Sequence, residues 1–258
     1  MRQTKDEDRN KANEITKSRG YLVVKRNDFI QKSRHQLSLQ EQKVVLFLIS
    51  RIKPTDVDFE NQEFSITEFC KICGIDYDNG KNYSNLKNTL GSLKNRWVWV
   101  EFEDGRKTTL AWINKVTINP GSGSIKLKMD NDLKPFLLEI QENFTQYELL
   151  YTLAMRSRYS VRLYELLKSY EYKCHIVADI EQLKVQLDAE KYKRNNDFKI
   201  KVLDIAMREI NEFTDISVSY EFIKASRKFS KVSFTINRKP AIERFETGIK
   251  TNQLLDNE

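Results

Sequence analysis

One order of secondary-structure elements occurs twice in the sequence, and this repeat constrains the fold more than any other feature. In each copy a helical segment is followed by a short helix, a second helix and alternating runs typical of a β-hairpin. The segment ITEFCKICGI corresponds to DIEQLKVQL, and YSNLKNTLGSLKNRWVWVEF corresponds to FKIKVLDIAMREINEFTDISVSYEF, roughly 115 residues further on. The 258 residues are enough for two domains, because a domain usually has roughly 100 to 200. We therefore expect two similar domains in tandem.

The first copy begins at Ser38, which with Glu41 has the spacing of a capping box ahead of an apolar helical stripe. Thr67 is predicted to cap the short helix, and Gly74 to end it. The second helix is expected over about residues 82–95, with its Asn and Ser side chains facing outward.

Two hairpins are predicted after this helix. The runs WVWVEFE and RKTTLAWI flank an Asp-Gly pair, the strongest short hairpin signal in the chain, and VTINPGSGSIKLKM is typical of a further hairpin. We interpret the first hairpin as the wing, with Arg106 and Lys107 at its tip. Because the aromatic residues alternate along paired strands, most of them are interpreted as core residues. These are Trp97, Trp99, Phe102 and Trp112.

The second copy is expected to begin with a long helical segment around residues 147–170. Its second helix is predicted over about residues 197–213 and is the better candidate for reading bases, because Lys193 and Arg194 lie at its start. Helix, short helix, second helix and basic hairpin together indicate a winged helix-turn-helix, in which the second helix enters the major groove of duplex DNA. The predicted fold class is α+β, with two tandem winged helix-turn-helix domains.

Positive charge is clustered in the second copy. The formal net charge is +7, which favours a polyanionic partner. Between residues 222 and 242 there are six basic residues and no carboxylate. They are Lys224, Arg227, Lys228, Lys231, Arg238 and Lys239.

Other classes of protein lack support in the sequence. No apolar run is long enough for a membrane span and the first twenty residues contain no secretory signal, so a cytoplasmic location is expected. Cys70 and Cys73 form a CxxC pair, and a zinc site would need them to meet the distant Cys174 and His175. We expect no metal and no cofactor.

The catalytic motifs that the sequence could contain are incomplete. A rolling-circle initiator needs a metal-binding His-hydrophobic-His pattern, whereas His35 and His175 are far apart. GIDYDNGKN has the wrong glycine spacing for a phosphate-binding loop and lacks the Ser or Thr that would hold magnesium. The prediction is therefore a binding protein and not an enzyme, with a nickase or relaxase as the enzymatic alternative.

The segment YKRNNDFKIKVLDIAMREINEFTDISVSYEFIKASRKFSKVSFTI resembles the C-terminal domain of iteron-binding, theta-type plasmid replication initiators. SRYSVRLYELLKSY and VVKRNDFIQKSRHQLSLQEQKVVLFLISRI resemble the same family, so that the likeness covers roughly residues 23–239. It implies monomers that bind direct repeats at a plasmid origin, dimers that repress their own gene at an inverted repeat, and a host replication initiator and helicase as partners. The alternative without initiation is a dimeric winged-helix repressor.

By resemblance, the start of the base-reading helix corresponds to Arg194, Asp197, Lys199 and Lys201. The family commonly has Arg at the last two positions, and Lys cannot make the bidentate contact to guanine, so phosphate contact is expected there and a base contact at Arg194. The candidate DNA-contacting residues are Lys81, Asn85, Asn88, Arg106 and Lys107 in the first domain, and Lys193, Arg194, Asn196, Asp197, Lys199, Lys201, Arg208, Arg227, Lys228 and Lys231 in the second.

The expected domain organisation has four parts. Residues 1–20 are mixed in charge and nearly free of apolar side chains, which predicts a disordered arm. Residues 21–140 form the N-terminal winged-helix domain, for dimerisation and backbone contact, and residues 141–240 the C-terminal domain, for the main DNA recognition. Residues 241–258 are expected to be a flexible tail.

Overall fold

The computed structural model describes residues 2–75, 80–102, 104–119, 122–225 and 228–257. The helices of the first half are α1 (Arg2–Arg19), α2 (Asn27–Lys32), α3 (Leu39–Ser50), α4 (Ile66–Cys73), α5 (Gly80–Leu93) and α6 (Lys134–Leu137). Those of the second half are α7 (Leu150–Leu153), α8 (Arg158–Lys168), α9 (Ile180–Gln186), α10 (Asn195–Phe198), α11 (Asp204–Phe213) and α12 (Ala241–Asp256). A π-helical turn (Lys199–Leu203) joins α10 to α11.

The strands of the first domain are β1 (Leu22–Arg26), β2 (Ser33–His35), β3 (Gln62–Ser65), β4 (Trp97–Glu101), β5 (Lys107–Ala111), β6 (Ile113–Asn119) and β7 (Ser124–Met129). They are followed by β8 (Phe144–Glu148), β9 (His175–Asp179), β10 (Ile216–Ala225) and β11 (Lys228–Arg238). All strand pairs are antiparallel, and β8 pairs with β1. Buried side chains of both domains form one connected hydrophobic core.

The helix ends of the first domain follow local sequence signals. Ser38 and Glu41 form the predicted capping box, in which the Ser38 hydroxyl accepts from the Glu41 backbone N–H at 3.2 Å and Glu41 Oε2 accepts from Ser38 N–H at 2.7 Å. The prediction that Thr67 caps α4 is wrong, because the Ser65 hydroxyl accepts from Glu68 N–H at 2.9 Å and the helix begins two residues earlier. Gly74 ends α4 with a φ of 63°, as predicted.

The two domains share one strand order. In the first, β3 lies between α3 and α4 and pairs with β7, which pairs with β6. In the second, β9 lies between α8 and α9 and pairs with β11, which pairs with β10. Each domain therefore has the three helices and three-stranded sheet of a winged helix, and the fold class predicted from the sequence is confirmed.

The first wing is not the hairpin that the sequence indicated. The strands on either side of the Asp104–Gly105 turn, β4 and β5, pair with β2 in a separate sheet. The hairpin that occupies the position of the wing is β6–β7, because only β7 pairs with the strand between the first two helices. The local turn signal identified both hairpins, but strand pairing across the domain decides which of them is the wing.

The segment expected as one long helix around residues 147–170 is broken. Residues 144–148 form β8, and α7 and α8 are separated at residues 154–157. The Glu209 carboxylate accepts from the backbone N–H groups of Arg156 and Ser157, both at 3.2 Å, and the Ser157 hydroxyl caps α8. These contacts replace the helical hydrogen bonds that the break removes.

Both ends of the chain are helical where we expected a disordered arm and a flexible tail. Residues 2–19 form α1 and residues 241–256 form α12. The arm was not predicted as a helix because Arg19, a charged residue, is its one buried residue among residues 10–20, whose burial is described. The tail was not predicted because its buried face consists of Thr247, Thr251 and Leu255. Threonine is exposed more often than buried, so threonines in a sequence do not predict a buried helix face.

Trp97 and Trp99 are exposed at 57% and 52%, so the prediction that they are core residues is wrong. Alternation along β4 places Val98 and Val100 in the core and both indoles on the outer face. Trp112 is buried, as predicted. In the described part of the chain no helix is both long and apolar enough to cross a membrane.

His35 should make the protein less stable in mild acid. Burial and the charges of Arg162 and Lys25 hold the pKa of His35 well below its ordinary value of 6.5, and no described residue hydrogen-bonds to its Nδ1. The unfolded chain then binds a proton that the folded chain does not, so stability is lost as the pH falls below 6.5. We expect a loss of about 2 kcal/mol between pH 7 and pH 5, measured by urea unfolding, and a shallower pH dependence in His35→Gln. Equal slopes in the two proteins would contradict this.

Candidate nucleic-acid interface

The second reading helix comprises α10, the π-helical turn and α11, residues 195–213. Seven of the fifteen candidate residues lie on it or in the two residues before it. Lys193, Arg194, Asn196, Lys201 and Arg208 are exposed, and Asp197 and Lys199 are half-buried. Arg194 is the N-cap residue, so its side chain leaves from the helix N-terminus. In helix-turn-helix proteins the N-terminal residues of this helix contact base edges.

The basic residues of this helix differ in how they are paired. Lys199 Nζ lies 2.8 Å from Asp204 Oδ2, and the Tyr220 hydroxyl donates to Asp204 Oδ1 at 2.6 Å. Burial raises the pKa of Asp204, but the hydrogen bonds from Lys199 and Tyr220 outweigh burial and lower it. Lys201 lies 3.9 Å from Asp197. Lys199 and Lys201 thus already have carboxylate partners.

Four other candidate residues have no such partner. Within the described residues, no ion pair is formed by Lys193, Arg194, Arg208 or Lys231. Because their charges are not neutralised by a described carboxylate, they are the better candidates in the second domain for contact with phosphate or bases. The base contact predicted for Arg194 and the phosphate contacts predicted for Lys199 and Lys201 stay predictions.

Asn195 joins the second reading helix to the second wing, and sequence reasoning passed over it. Its Nδ2 donates to the backbone carbonyl of Phe229 on β11 at 3.0 Å, and its Oδ1 accepts from Lys184 Nζ at 3.0 Å. Lys184 is 1% exposed and lies on α9. One amide therefore fixes the start of the reading helix against both the preceding helix and the hairpin.

The π-helical turn changes which side chains face outward. Leu203, Ala206, Met207 and Ile210 are buried, as predicted. A regular helix would place Ile200 on their face, but the extra residue of the π turn rotates it outward, and Ile200 is 52% exposed. An exposed aliphatic side chain on a reading helix is suited to contact with a thymine methyl group.

The second wing, the β10–β11 hairpin, has fewer exposed and unpaired basic residues than its sequence indicates. Lys231 is exposed, whereas Lys239 is buried and its Nζ donates to the Asn211 carbonyl at 2.6 Å. Arg238 lies 3.9 Å from Glu171. Arg227 lies outside the described residues, as does the side chain of Lys228.

The first reading helix is α5. Asn85 and Asn88 are exposed on it as predicted, together with Lys87, which the sequence analysis did not single out. The side chain of Lys81 is outside the described part. Asn side chains can pair with the adenine edge in the major groove, and Lys87 can contact phosphate.

Arg106 and Lys107 are poorer candidates than we expected. They lie on the β4–β5 hairpin, away from the wing position, and each has a nearby carboxylate. Arg106 Nε is 2.6 Å from Asp104 Oδ2, and Lys107 Nζ is 3.2 Å from Glu101 Oε2.

The β6–β7 wing carries three lysines that the sequence analysis did not assign to DNA. Lys115 is directly across from Lys128, and Lys126 is across from Thr117, so the three share the outer face of the hairpin. Lys115 and Lys126 are exposed and form no ion pair with the described residues. Like charges on facing strands are unfavourable, which an anionic partner relieves.

Exchanging the lysines of this wing should therefore affect DNA binding more than exchanging the basic residues of β5. We expect the double variant Lys115→Ala/Lys126→Ala to reduce the slope of log affinity against log salt by about two, because each lost phosphate contact reduces it by about one. The matched double variant Arg106→Ala/Lys107→Ala should keep the original slope. Fluorescence anisotropy with a labelled duplex over a salt series measures both, and the opposite ranking would restore the β4–β5 hairpin as the wing.

The CxxC cysteines belong to the core. Cys70 and Cys73 are buried on α4, and burial raises the pKa of Cys70 to about 11 and that of Cys73 to about 12. Cys174 is exposed. No group of three or more His, Cys, Asp or Glu side chains among the described residues could hold a metal ion.

The two reading helices, each followed by a hairpin, define the chain as a DNA-binding protein of the two-domain winged-helix class. Comparison with known proteins adds the family. The family model described as "Initiator Replication protein, WH1" matches residues 22–168, and that described as "Initiator Rep protein, WH2" matches residues 179–236. The chain belongs to the initiator replication protein family, as the resemblance implied.

Individual relatives are more distant. The chain is 26% identical over 141 residues to the PI protein of Escherichia coli, a match covering 47% of this chain and 46% of that protein. The match thus spans about half the length of this relative. A solved structure, the crystal structure of Pi initiator protein in complex with iteron DNA, superposes with a TM-score of 0.72 at 21% identity. It covers 86% of this chain and 98% of the other, which shows a common fold.

Proposed function

We propose that this chain is a plasmid replication initiator that binds direct repeats, or iterons, in double-stranded DNA at its origin. Strand opening and helicase loading are then carried out by the host initiator and helicase. The observation that carries the proposal is the presence of two complete reading units in one chain, with the same strand order. A single unit would have to dimerise to read two half-sites, and two units in one chain need not.

This arrangement suits an asymmetric site. Two reading helices placed in successive major grooves on one face of DNA contact half-sites about 10 base pairs apart. One chain then covers roughly 20 base pairs without a partner, and copies of the chain can occupy tandem sites in the same orientation. The similarity to a protein solved in complex with iteron DNA supports this choice of site.

A second role as a dimeric repressor of its own gene, at an inverted repeat, is favoured by the outer face of the β2–β4–β5 sheet. Trp97 and Trp99 are exposed side by side on this face, and β5 is an edge strand. Exposed indoles next to an unpaired strand edge are typical of a surface that is covered by another chain. We propose a second copy as the partner, in equilibrium with the monomer.

Replication and repression can be tested separately. A plasmid that carries the origin but lacks its initiator gene should replicate only when this chain is supplied in trans. Native mass spectrometry should find one chain on a single direct repeat and two on an inverted repeat, and Trp97→Ser/Trp99→Ser should abolish only the second complex. Binding exclusively as two chains on inverted repeats, without support of replication, would show that the chain is a repressor alone.

Arg194 should contact a base. We expect Arg194→Ala to cost about 1–3 kcal/mol of binding free energy and to relax the preference at one base pair, since a bidentate contact to guanine discriminates by about this amount. Lys193→Ala is the matched control, expected to weaken binding to all sequences equally. Competition titrations with each base substituted in turn measure both effects. Retention of the full base preference in Arg194→Ala would assign Arg194 to the phosphate backbone instead.

A further inference from the structure

Arg19 is a buried cation that joins helices from both ends of the chain. Its side chain is 1% exposed. Nε donates to the carbonyl of Ile72 at 2.9 Å and Nη2 to that of Lys71 at 2.8 Å, both in the last turn of α4. On the opposite side, Nη1 donates to Asp256 Oδ1 at 2.7 Å and Asn252 Oδ1 at 3.2 Å, in the last turns of α12. One guanidinium thus neutralises the negative ends of two helices.

The contact between α12 and α4 is close and depends on a glycine. Leu255 is 3% exposed and packs on Gly74, where an added Cβ would lie 2.6 Å from Leu255 Cδ2. Gly74 also has the left-handed conformation that ends α4. Thr247 and Thr251 continue the same buried face of α12, one turn apart. The C-terminal end of α12 therefore packs closely against the N-terminal domain.

The helix α12 also contacts the C-terminal domain. The helix follows β11, the second strand of the second wing. Lys250 Nζ lies 3.3 Å from Glu212 Oε1, near the end of the second reading helix, and Lys239 Nζ donates to the Asn211 carbonyl. In the other domain α4 immediately precedes the first reading helix. Consequently α12 runs from one DNA-reading unit to the other.

We propose that Arg19 and α12 form a clamp that fixes the distance and rotation between the two reading helices. The protein then selects DNA by the spacing of its two half-sites as well as by their sequence. The proposal rests on the proposed two-domain DNA binding. Linked domains usually move relative to one another unless an apolar interface holds them. Here the connected hydrophobic core already limits that motion, and the clamp restricts what remains of it. A clamp raises the fraction of molecules that can engage both half-sites at once, and apparent affinity increases in proportion.

The contacts of the clamp can be removed by substituting either Arg19 or its partners on α12. Arg19→Ala removes all its contacts. It also leaves Asp256 without its partner, but Asp256 is 61% exposed and can be hydrated. Asn252→Ala/Asp256→Ala removes only the side-chain contacts to α12, and Arg19 keeps its hydrogen bonds to the carbonyls of Ile72 and Lys71. Lys17→Ala is the matched control, because Lys17 is exposed on the same helix as Arg19.

The experiment compares binding of each purified protein to its duplex site, to the site with about two base pairs inserted between the half-sites, and to an isolated half-site. The unaltered protein and Lys17→Ala should lose about 100-fold or more in affinity on insertion, because simultaneous engagement becomes impossible. Both clamp variants should bind the original site about tenfold more weakly, lose less than about tenfold on insertion, and bind the half-site like the unaltered protein.

The same insertion penalty in a clamp variant as in the unaltered protein would overturn the inference. Circular dichroism establishes that each variant is folded, and if Arg19→Ala is not, the Asn252→Ala/Asp256→Ala variant decides. Should the unaltered protein bind the inserted and original sites equally, the clamp does not set the spacing. Failure of the unaltered protein to bind any two-part site would instead remove the proposed function, and this inference with it.

Discussion

Raising the salt concentration from 50 to 200 mM should lower the affinity of this protein for its duplex site by about 10³ to 10⁵-fold. Binding to about six to ten phosphates releases the counterions condensed on them, and added salt opposes that release. The cations that we propose for these contacts are exposed and form no ion pair with the described residues, as for Lys115, Lys126, Arg194 and Lys231. The measurement is a series of anisotropy titrations at constant temperature.

The controls for the salt series follow from the ion pairs of the second reading helix. Because Lys199 is 2.8 Å from Asp204, Lys199→Ala should change the slope less than Lys231→Ala does. A salt slope close to zero in the unaltered protein would contradict the whole assignment of a phosphate-contacting surface. A steep slope without sequence preference would leave the surface assignment intact and remove base reading.

The second large effect is expected from a buried ion pair between β1 and α8. Lys25 and Glu165 are 4% and 3% exposed, with Nζ 2.5 Å from Oε1, and the Tyr147 hydroxyl donates to the same oxygen at 2.6 Å. Burial raises the pKa of Glu165, but the nearby charges of Lys25 and Arg162 outweigh burial and lower it. The carboxylate is therefore held ionised inside the protein.

Glu165→Ala should lower the free energy of unfolding by about 3–5 kcal/mol, because it leaves Lys25 buried without its carboxylate partner. Glu101→Ala, which breaks the exposed pair with Lys107, should cost less than about 1 kcal/mol. Urea unfolding measures both. Replacing both partners, as in Lys25→Met/Glu165→Leu, should recover most of the loss. Equal costs for Glu165→Ala and Glu101→Ala would show that the buried pair is not a structural requirement.

The pH dependence of this pair has a definite sign. Because the folded pKa of Glu165 is depressed, the stability it contributes is fully present above its ordinary value of 4.5 and is lost as the pH falls through the folded value. Glu165 therefore contributes no loss of stability between pH 7 and pH 5, the range in which the lowered pKa of His35 does.

Features set by short stretches of sequence were predictable. The capping box at Ser38, the left-handed Gly74 and the buried face of the second reading helix all depend on residues a few positions apart. The order of helices and strands that both domains share was predictable from the sequence, but the pairing of the strands was not. The choice between the two hairpins of the first domain required the pairing of β3 with β7, which joins residues about 60 positions apart.

The remaining differences have similar causes. Alternation along β4 defines two faces but does not show which one is covered, so Trp97 and Trp99 were placed inside. Inward positions are predicted from the regular helical period, and the π turn breaks that period. The exposed position of Ile200 was therefore not predicted. Asn195 and Arg19 donate hydrogen bonds to backbone carbonyls of distant segments. Every residue has a backbone carbonyl, so the sequence does not indicate which one accepts such a bond.

Selection of bound duplexes from a random pool at about 150 mM salt, followed by the mass of the protein on the selected site, tests the central claim most directly. Two reading helices in one chain should select an asymmetric site of about two helical turns, bound by a single chain. Enrichment only of palindromes bound by two chains would contradict the claim that one chain reads both half-sites, and no enrichment would contradict sequence-specific DNA binding itself.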